Sequence, residues 1–199
     1  EMLQAEERVI HTEAAHNWMP TADDLAEHLS AATLLVLNSP QNPTGTMMSA
    51  DELAALCNLV VQENETRRLT NRKPLYVIYD QVYRLLTFGC DHVHPVGVNP
   101  AMKPYTVYVD GFSKGFAGTG VRVGWAVGPK PVLAAMQKLL GHVGAWSPRP
   151  EQTAAAVLLQ DRPAQEAFLQ TFREKVGSRL HLLYNAFEAM RAQGLPVTC

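Results

Sequence analysis

Short apolar runs alternate with segments of helical periodicity along most of the chain. Residues 33–38 and 75–79 are almost uniformly apolar, and further apolar runs occupy residues 105–109 and 125–127. Runs without polar alternation are typical of strands covered on both faces, which occur in parallel sheets with crossover helices. The β-branched content of residues 8–13 predicts one more short strand. The pattern therefore predicts an α/β protein with a mostly parallel sheet.

The helical segments in the first half of the chain begin with clear N-terminal signals. Thr21 is a predicted N-cap followed by acidic residues, and the helix that it starts should end near Ser30. Ser49 and Glu52 have the spacing of a capping box, in which each side chain accepts a hydrogen bond from the other residue's backbone amide. The apolar spacing that follows predicts a helix over residues 50–64, which then gives way to a loop.

Three more helices are predicted in the second half of the chain. Pro131 fits the first turn of one, and residues 151–160 form a short apolar helix after a loop at residues 141–150. Residues 163–193 carry a longer helical pattern that Gly194 closes. About thirty residues at 1.5 Å each give roughly 45 Å, which is long enough to run from one domain into another.

Composition argues against several classes of function. The chain has 199 residues, 47% of them apolar, and its net charge of −2 provides no basic surface for nucleic acid or an anionic membrane. No apolar run approaches the roughly 20 residues that span a bilayer, and residues 1–8 lack the apolar core of a signal peptide. The spacing of histidines and of Cys57, Cys90 and Cys199 predicts neither a disulfide framework nor a metal site, which favours the reducing cytoplasm.

The strongest candidate for chemistry is the segment at residues 109–125, which contains five glycines. Lys114 lies among small residues between two strands, where an amine can lose its solvation and its proton near neutral pH, as a Schiff-base lysine must. Arg122, eight residues later, offers a planar charged group suited to a phosphate. Taken alone, the segment is explained equally well as a glycine-rich surface turn with two solvated charges.

Two strand ends upstream carry further polar residues. Asn42 begins an Asn-Pro-Thr-Gly turn after one apolar run, Asp80 ends the next run, and Tyr83 follows three residues later. Each alone has an ordinary explanation: a turn residue before proline, a helix cap and a packed aromatic, respectively. Ligands bind outside the carboxyl ends of strands in open α/β sheets, however, and all three fall there together with Lys114. Their shared placement favours one site.

The order of these strand ends, with Asn42, then Asp80 and Tyr83, then Lys114 and Arg122, resembles a known family. It is similar to the pyridoxal-phosphate-dependent aminotransferases of class I/II, the aspartate-aminotransferase-like enzymes of fold type I. The resemblance covers nearly the whole chain. It implies an α/β fold of three layers, α/β/α, with a mostly parallel central sheet.

The resemblance also implies a partial chain. Residues 1–162 would form most of the large domain, which binds pyridoxal 5′-phosphate (PLP) and here is incomplete on its N-terminal side. Residues 163–199 would form the helix between domains and the start of the small domain.

Roles for the site residues follow from the resemblance. Lys114 would form the Schiff base with PLP, and its free amine would then move a proton at the substrate α-carbon. Asp80 would pair with the pyridine nitrogen of the cofactor. Tyr83 and Asn42 would both hydrogen-bond its phenolic oxygen.

The phosphate of PLP would be bound by Arg122, at the lysine-plus-eight spacing that the family uses. The chain departs from the family at one nearby position. Many members carry a phosphate-binding serine three residues before the lysine, where this chain has Gly111. Ser113 is the hydroxyl that we assign to the phosphate instead.

The implied reaction is ping-pong transfer of an amino group from an amino acid to a 2-oxo acid by a homodimer, with the partial chain poorly active alone. Residues 146–150 resemble the segment that reaches across such a dimer. Dicarboxylate-specific members carry an arginine where this chain has Val143, and Arg149 is the alternative partner for a second carboxylate. Two other functions stay open: a PLP-dependent lyase of the same fold that performs β-elimination, and a non-catalytic regulatory domain built on that fold.

Overall fold

Four strands form the sheet at the centre of the structure, a computed structural model that describes residues 5–197. The strand order is β1-β2-β3-β4, with β1, β2 and β3 parallel and β4 antiparallel to β3. The strands are β1 (Leu34–Asn38), β2 (Tyr76–Asp80), β3 (Thr106–Gly111) and β4 (Gly124–Val127). The predicted mostly parallel sheet within a three-layer α/β/α fold is therefore confirmed.

Seven α-helices and three short 3₁₀ helices surround this sheet in residues 5–197. The α-helices are α1 (Ala22–Leu29), α2 (Ala50–Leu69), α3 (Pro95–Val98), α4 (Phe112–Gly115), α5 (Lys130–Val143), α6 (Arg149–Gln160) and α7 (Arg162–Ala192). The 3₁₀ helices cover Ala14–His16, Pro100–Met102 and Thr119–Val121. The long predicted helix is confirmed, since α7 has 31 residues. None of these helices combines the length and the apolar character that crossing a membrane requires.

Both predicted N-terminal signals form capping interactions. Ser49 and Glu52 make the expected capping box, and the Ser49 hydrogen bonds lower the pKa of the Glu52 carboxyl. Thr21 makes a capping box as well, with Asp24 as its partner at the start of α1. A short acidic side chain at the third position serves here as glutamate does in the usual pattern.

Two sequence predictions are wrong in this region. Residues 8–13 form no strand. Their β-branched side chains favour an extended backbone, but a strand also needs a neighbouring strand to pair with. Helix α2 ends at Leu69 instead of residue 64. The extra turn contains Arg67, and Asn64 lies just before it; both are polar residues that are only 2% exposed. Asn64 exchanges two hydrogen bonds with the backbone of Leu75, just before β2.

Arg67 joins three parts of the chain at the amino-terminal edge of the sheet. Its guanidinium donates to the carbonyls of Leu29, the last residue of α1, and of Ala32 beyond it, at 2.7 Å each. It also donates to the Lys73 carbonyl before β2. Within α2 it pairs with Glu63 at 2.6 Å. A buried guanidinium needs this many acceptors, since an unpaired buried charge is strongly destabilising.

The main core lies between the sheet and the helices α1 and α2. Its buried members include Leu25, Leu29, Leu37, Leu53, Leu56, Val60, Leu75, Val77 and Tyr79. The expectation that both faces of every strand are covered is wrong for β1, where Leu34 and Val36 are 48% and 62% exposed. These residues point away from α1 and α2, which cover only the face that carries Leu37.

A smaller cluster lies where the chain leaves the sheet. It contains buried Phe112, Val123 and Ala155, with Phe116, Trp125 and Leu158 packed against them. The cluster joins β4, α4 and α6, and so supports the segment that follows β3. By contrast, α5 and α7 contain no buried residue among those that the structure describes.

Candidate active site

The carboxyl ends of the three parallel strands meet at one edge of the sheet. Asn38, Asp80 and Val109 are at matching register positions of β1, β2 and β3. The backbone pairing continues beyond the strands, because Ser39 donates to the Asp80 carbonyl and Gln81 donates to the Val109 carbonyl, both at 3.0 Å. The segments that leave these three strands are therefore held side by side.

A cavity of about 260 Å³ opens at this edge. Three of the six predicted site residues line it: Asp80, Ser113 and Arg122. The other lining residues are Val82, Val109, Asp110, Gly111, Val123 and Gly124. Lys114, Tyr83 and Asn42 are not among the lining residues, although Lys114 follows Ser113 directly. The structure thus brings Asp80, Ser113 and Arg122 to one cavity, and Lys114 is the next residue after Ser113.

Lys114 lies in the short helix α4, three residues after the end of β3. Its Nζ atom is 5.6 Å from the centre of the Tyr83 ring, which is within range of a cation–π interaction. Both side chains are half-buried. Lys114 is therefore less enclosed than the small residues around it suggest, and the aromatic ring of Tyr83 covers one side of its amine.

Asp80 is the last residue of β2 and is half-buried. Its Oδ1 atom accepts a hydrogen bond from the backbone amide of Val82 at 3.0 Å. This is the local turn contact that aspartate commonly makes after a strand. Its Oδ2 atom has no hydrogen-bond partner among residues 5–197. Asp80 therefore stabilises the turn through one carboxylate oxygen and also lines the cavity. A structural role in the turn and a role in the site are compatible.

Arg122 has an uncommon backbone conformation. Its φ and ψ of 57° and 35° lie in the left-handed region, which favours glycine. Ala117 also has a positive φ, of 51°, whereas Gly118 in the same loop does not. The Arg122 side chain is exposed and donates from Nη1 to the Thr119 carbonyl at 3.0 Å. A non-glycine residue held in this conformation beside a cavity is typical of a functional position.

Asn42 is exposed and lies four residues beyond β1. Its backbone amide donates to Oδ1 of Asn38 at 2.9 Å, and the Asn38 side-chain amide donates to the Asp80 carbonyl at 3.1 Å. Asn38 thereby ties the Asn-Pro-Thr-Gly turn to the end of β2. Asn38 was missed as a residue of this edge, although a polar residue ending an apolar run is a visible signal in the sequence.

Two further residues of this edge were missed, Arg84 and Asp110. Arg84 follows Tyr83 in sequence, and its Nε atom is paired with Oδ2 of Asp110, the penultimate residue of β3. The Asp110 side chain is only 4% exposed and also lines the cavity. A carboxylate ending an apolar strand signals a buried partner, but nothing in the sequence indicates which basic residue provides it.

A histidine lies under the segment that follows Asp80. His92 is half-buried, and its Nε2 atom is 3.3 Å from Oε1 of Gln81. Burial, together with smaller contributions from the nearby His94 and Arg84, lowers the pKa of His92 to about 4. Its Nδ1 atom is buried without a hydrogen-bond partner in the described part of the chain. The neutral imidazole is therefore the form that this site accommodates.

Comparison with known proteins bears on this arrangement. The family described as aminotransferase class I and II matches residues 1–198. An aspartate aminotransferase of Geobacillus stearothermophilus is 29% identical over 182 residues, which are 87% of this chain and 43% of that protein. An aspartate/prephenate aminotransferase of Thermus thermophilus is 33% identical over 156 residues, which are 78% of this chain and 37% of that protein.

Solved structures agree with the sequence relatives. The structure of aspartate aminotransferase from Thermus thermophilus with maleate superposes with a TM-score of 0.81 at 28% identity, covering 91% of this chain and 44% of that one. The chain belongs to the aminotransferase class I and II family, as the strand-end residues predicted. It spans less than half the length of these relatives.

The position of His92 predicts an acid-sensitive fold. In the unfolded chain His92 is protonated below its ordinary pKa of 6.5, whereas in the folded chain it is protonated only below about pH 4. Stability should therefore fall as the pH drops from about 6.5 towards 4, by about 1–2 kcal/mol at pH 5 for a partly buried group. Urea unfolding of wild type and His92→Gln at pH 7 and pH 5 measures this loss.

The variant should lose less stability than wild type between the two pH values. The matched control is His142→Gln, which replaces an exposed histidine on α5. It should keep the wild-type pH dependence. Equal losses in all three proteins would show that His92 is not the group responsible.

Proposed function

We propose that this chain forms part of the active site of a PLP-dependent aminotransferase, which transfers an amino group from an amino acid to a 2-oxo acid. The observation that carries the proposal is the convergence of Asp80, Ser113 and Arg122 on one cavity, with Lys114 beside it. Asp80 comes from one segment of the chain, and Ser113, Lys114 and Arg122 come from another. The parallel pairing of β2 and β3 brings the two segments to one edge of the sheet. If the glycine-rich segment were only a surface turn with solvated charges, its residues would not be expected to share a cavity with Asp80.

The residues of the cavity fit PLP. A phosphate calls for a guanidinium and a hydroxyl, which Arg122 and Ser113 supply at the cavity wall. The ring nitrogen calls for a carboxylate, and Asp80 has one oxygen without a protein partner in residues 5–197. Tyr83 and Asn42 are the assigned donors to the phenolic oxygen. Lys114 would hold the cofactor covalently.

Each residue would then have a distinct task. PLP, when bound, supplies the electron sink for a carbanion at the substrate α-carbon. The Asp80 carboxylate would keep a proton on the ring nitrogen. The Lys114 amine would take the proton from the substrate α-carbon, as a general base positioned by α4. Tyr83 covers one side of that amine at 5.6 Å and would limit its access to water.

The substrate class is inferred from relatives. Those described above are named as aspartate and aspartate/prephenate aminotransferases, and another is named kynurenine–oxoglutarate transaminase. Their names favour transfer over β-elimination, and they share an amino-acid donor and an oxo-acid acceptor. Because this chain spans less than half of their length, we propose that alone it binds PLP weakly and turns over little substrate.

We further propose that the chain works as a homodimer in the cytoplasm. Large apolar side chains are exposed on the surface of α5, α6 and the loop between them: Leu139, Leu140, Val143, Trp146, Val157 and Leu159. Several large apolar side chains exposed within one region of the chain favour an interface there. The free thiols of Cys57 and exposed Cys90 suit a reducing compartment.

Sedimentation equilibrium should give twice the mass of one chain, and a single-chain mass at all concentrations would contradict the dimer.

The role of Lys114 can be tested by trapping. Adding PLP to the chain and reducing with borohydride should fix the cofactor on Lys114 in preference to the other five lysines. The physical reason is that only Lys114 has a phosphate-binding group and a ring-nitrogen partner nearby. Peptide mass spectrometry reads out the modified position, and the five other lysines serve as internal controls.

Two variants complete this experiment. Lys114→Ala should leave only the background modification that exposed lysines show. Lys138→Ala, which removes an exposed lysine on α5, should leave the modification of Lys114 unchanged. Modification of Lys114 no greater than that of Lys138 in the wild-type chain would contradict the assignment.

The role of Arg122 can be tested with a cofactor that lacks the phosphate. Arg122→Gln should reduce the preference of Lys114 for PLP over pyridoxal by about 10–100-fold, because a hydrogen bond to a charged group is worth about 1.5–3 kcal/mol. The measurement is the concentration of each aldehyde that half-saturates Lys114 trapping. Arg149→Gln replaces an exposed arginine at the start of α6 and should keep the wild-type preference. An unchanged preference in Arg122→Gln would remove Arg122 from the phosphate site.

A further inference from the structure

Residues 81–86, which we call the Tyr83 loop, connect the end of β2 to the site. The loop is ordered by its own backbone: Arg84 donates to the Gln81 carbonyl and Leu86 donates to the Tyr83 carbonyl, both at 2.8 Å. Residues 111–116, which we call the Lys114 turn, leave the neighbouring strand β3. The relative position of these two segments decides where Tyr83 lies with respect to Lys114.

The first contact between the segments is the ion pair of Arg84 and Asp110. Oδ2 of Asp110 accepts from Arg84, and Oδ1 accepts from the Gly111 amide at 2.7 Å, so the carboxylate binds the loop and the turn at once. The Asp110 side chain is 4% exposed, whereas that of Arg84 is 35% exposed. A buried carboxylate depends on such a partner, because removing the partner leaves an uncompensated charge.

The second contact is apolar and very close. Leu85 packs on Gly115 so tightly that a Cβ atom at position 115 would lie 2.8 Å from Leu85 Cδ1. Gly115 is buried and directly follows Lys114. The loop therefore lies on the turn without space for a side chain between them.

The third contact is that of Tyr83 with the Lys114 amine, 5.6 Å from ring centre to Nζ.

The loop is also held by helix α7. Nε of Arg173 donates to the Leu85 carbonyl at 2.6 Å. This contact orders the Tyr83 loop but does not touch Asp110 or the Lys114 turn. Arg84 and Arg173 thus act on one loop, and only Arg84 connects it by an ion pair to the strand that leads to Lys114.

We propose that Arg84 is a positioning residue of the active site, which holds the ring of Tyr83 against the amine of Lys114 through its ion pair with Asp110. The inference rests on the proposed function for its catalytic meaning, since it assigns Arg84 to the site of that reaction. Arg84 does not line the cavity and has no contact with the Lys114 amine. It acts through the two segments that it joins.

The physical test measures hydrogen exchange of the backbone amides in the chain without cofactor. In Arg84→Gln, amides of both the Tyr83 loop and the Lys114 turn should exchange faster, on the order of tenfold, because the segments come apart locally. Arg173→Gln should speed exchange in the Tyr83 loop and leave the Lys114 turn protected. Asp110→Asn, which keeps the side-chain shape but removes the charge, should reproduce the pattern of Arg84→Gln.

A second readout separates positioning from general stability. Trapping of PLP at Lys114, relative to the other five lysines, should fall in Arg84→Gln and recover in part in Arg84→Lys, which keeps the positive charge. The matched control is Glu63→Gln, which disrupts the buried pair with Arg67 at the opposite edge of the sheet. It should lower the stability of the fold and leave the selectivity for Lys114 unchanged.

The outcomes distinguish this inference from the proposed function. Wild-type exchange in both segments of Arg84→Gln and Asp110→Asn, with trapping at Lys114 intact, would overturn the role of Arg84 and leave the proposed function standing. Faster exchange in both segments without selective trapping at Lys114 in the wild-type chain would support the contact and refute the proposed function. Loss of selectivity in Glu63→Gln as large as in Arg84→Gln would also overturn a positioning role.

Discussion

The parallel pairing of β1, β2 and β3 is the constraint on which the site depends. Parallel strands end at the same edge of a sheet, so the residues that follow them become neighbours although they are far apart in sequence. The pairing here continues past the strands themselves, through the backbone bonds of Ser39 and Gln81. Asp80 and the Lys114 turn are therefore placed by the main chain of the sheet.

Arginines secure the chain at both edges of this sheet. At the amino-terminal edge, buried Arg67 of α2 donates hydrogen bonds to backbone carbonyls at the end of α1 and before β2. These bonds hold both segments against α2. At the carboxyl edge, Arg84 meets a buried carboxylate of β3. The two arrangements differ in purpose. Arg67 satisfies carbonyls that helix and strand ends leave unpaired, whereas Arg84 joins the segment after β2 to β3 through an ion pair.

Local signals in the sequence were sufficient for most elements, and insufficient for contacts between them. Capping residues and apolar spacing located α1, α2 and α7, because these signals act within a few residues. Residues 8–13 had the composition of a strand but lack a partner, and partners are not encoded locally. The pair of Arg84 and Asp110 is separated by 26 positions, and it follows only once β2 and β3 are known to be adjacent. The order of the strands in the sheet therefore determines which polar residues lie next to each other.

Position 122 carries a backbone cost that glycine would avoid. An L-amino acid in the left-handed region costs about 1 kcal/mol or more relative to glycine, so folding alone would favour glycine at this point. Glycine is abundant in this segment, and yet the chain uses it at 118 and 120, where φ is not positive. Arg122 and Ala117 both keep a conformation that costs stability. The loop therefore holds this shape only because the packing around it fixes the backbone there.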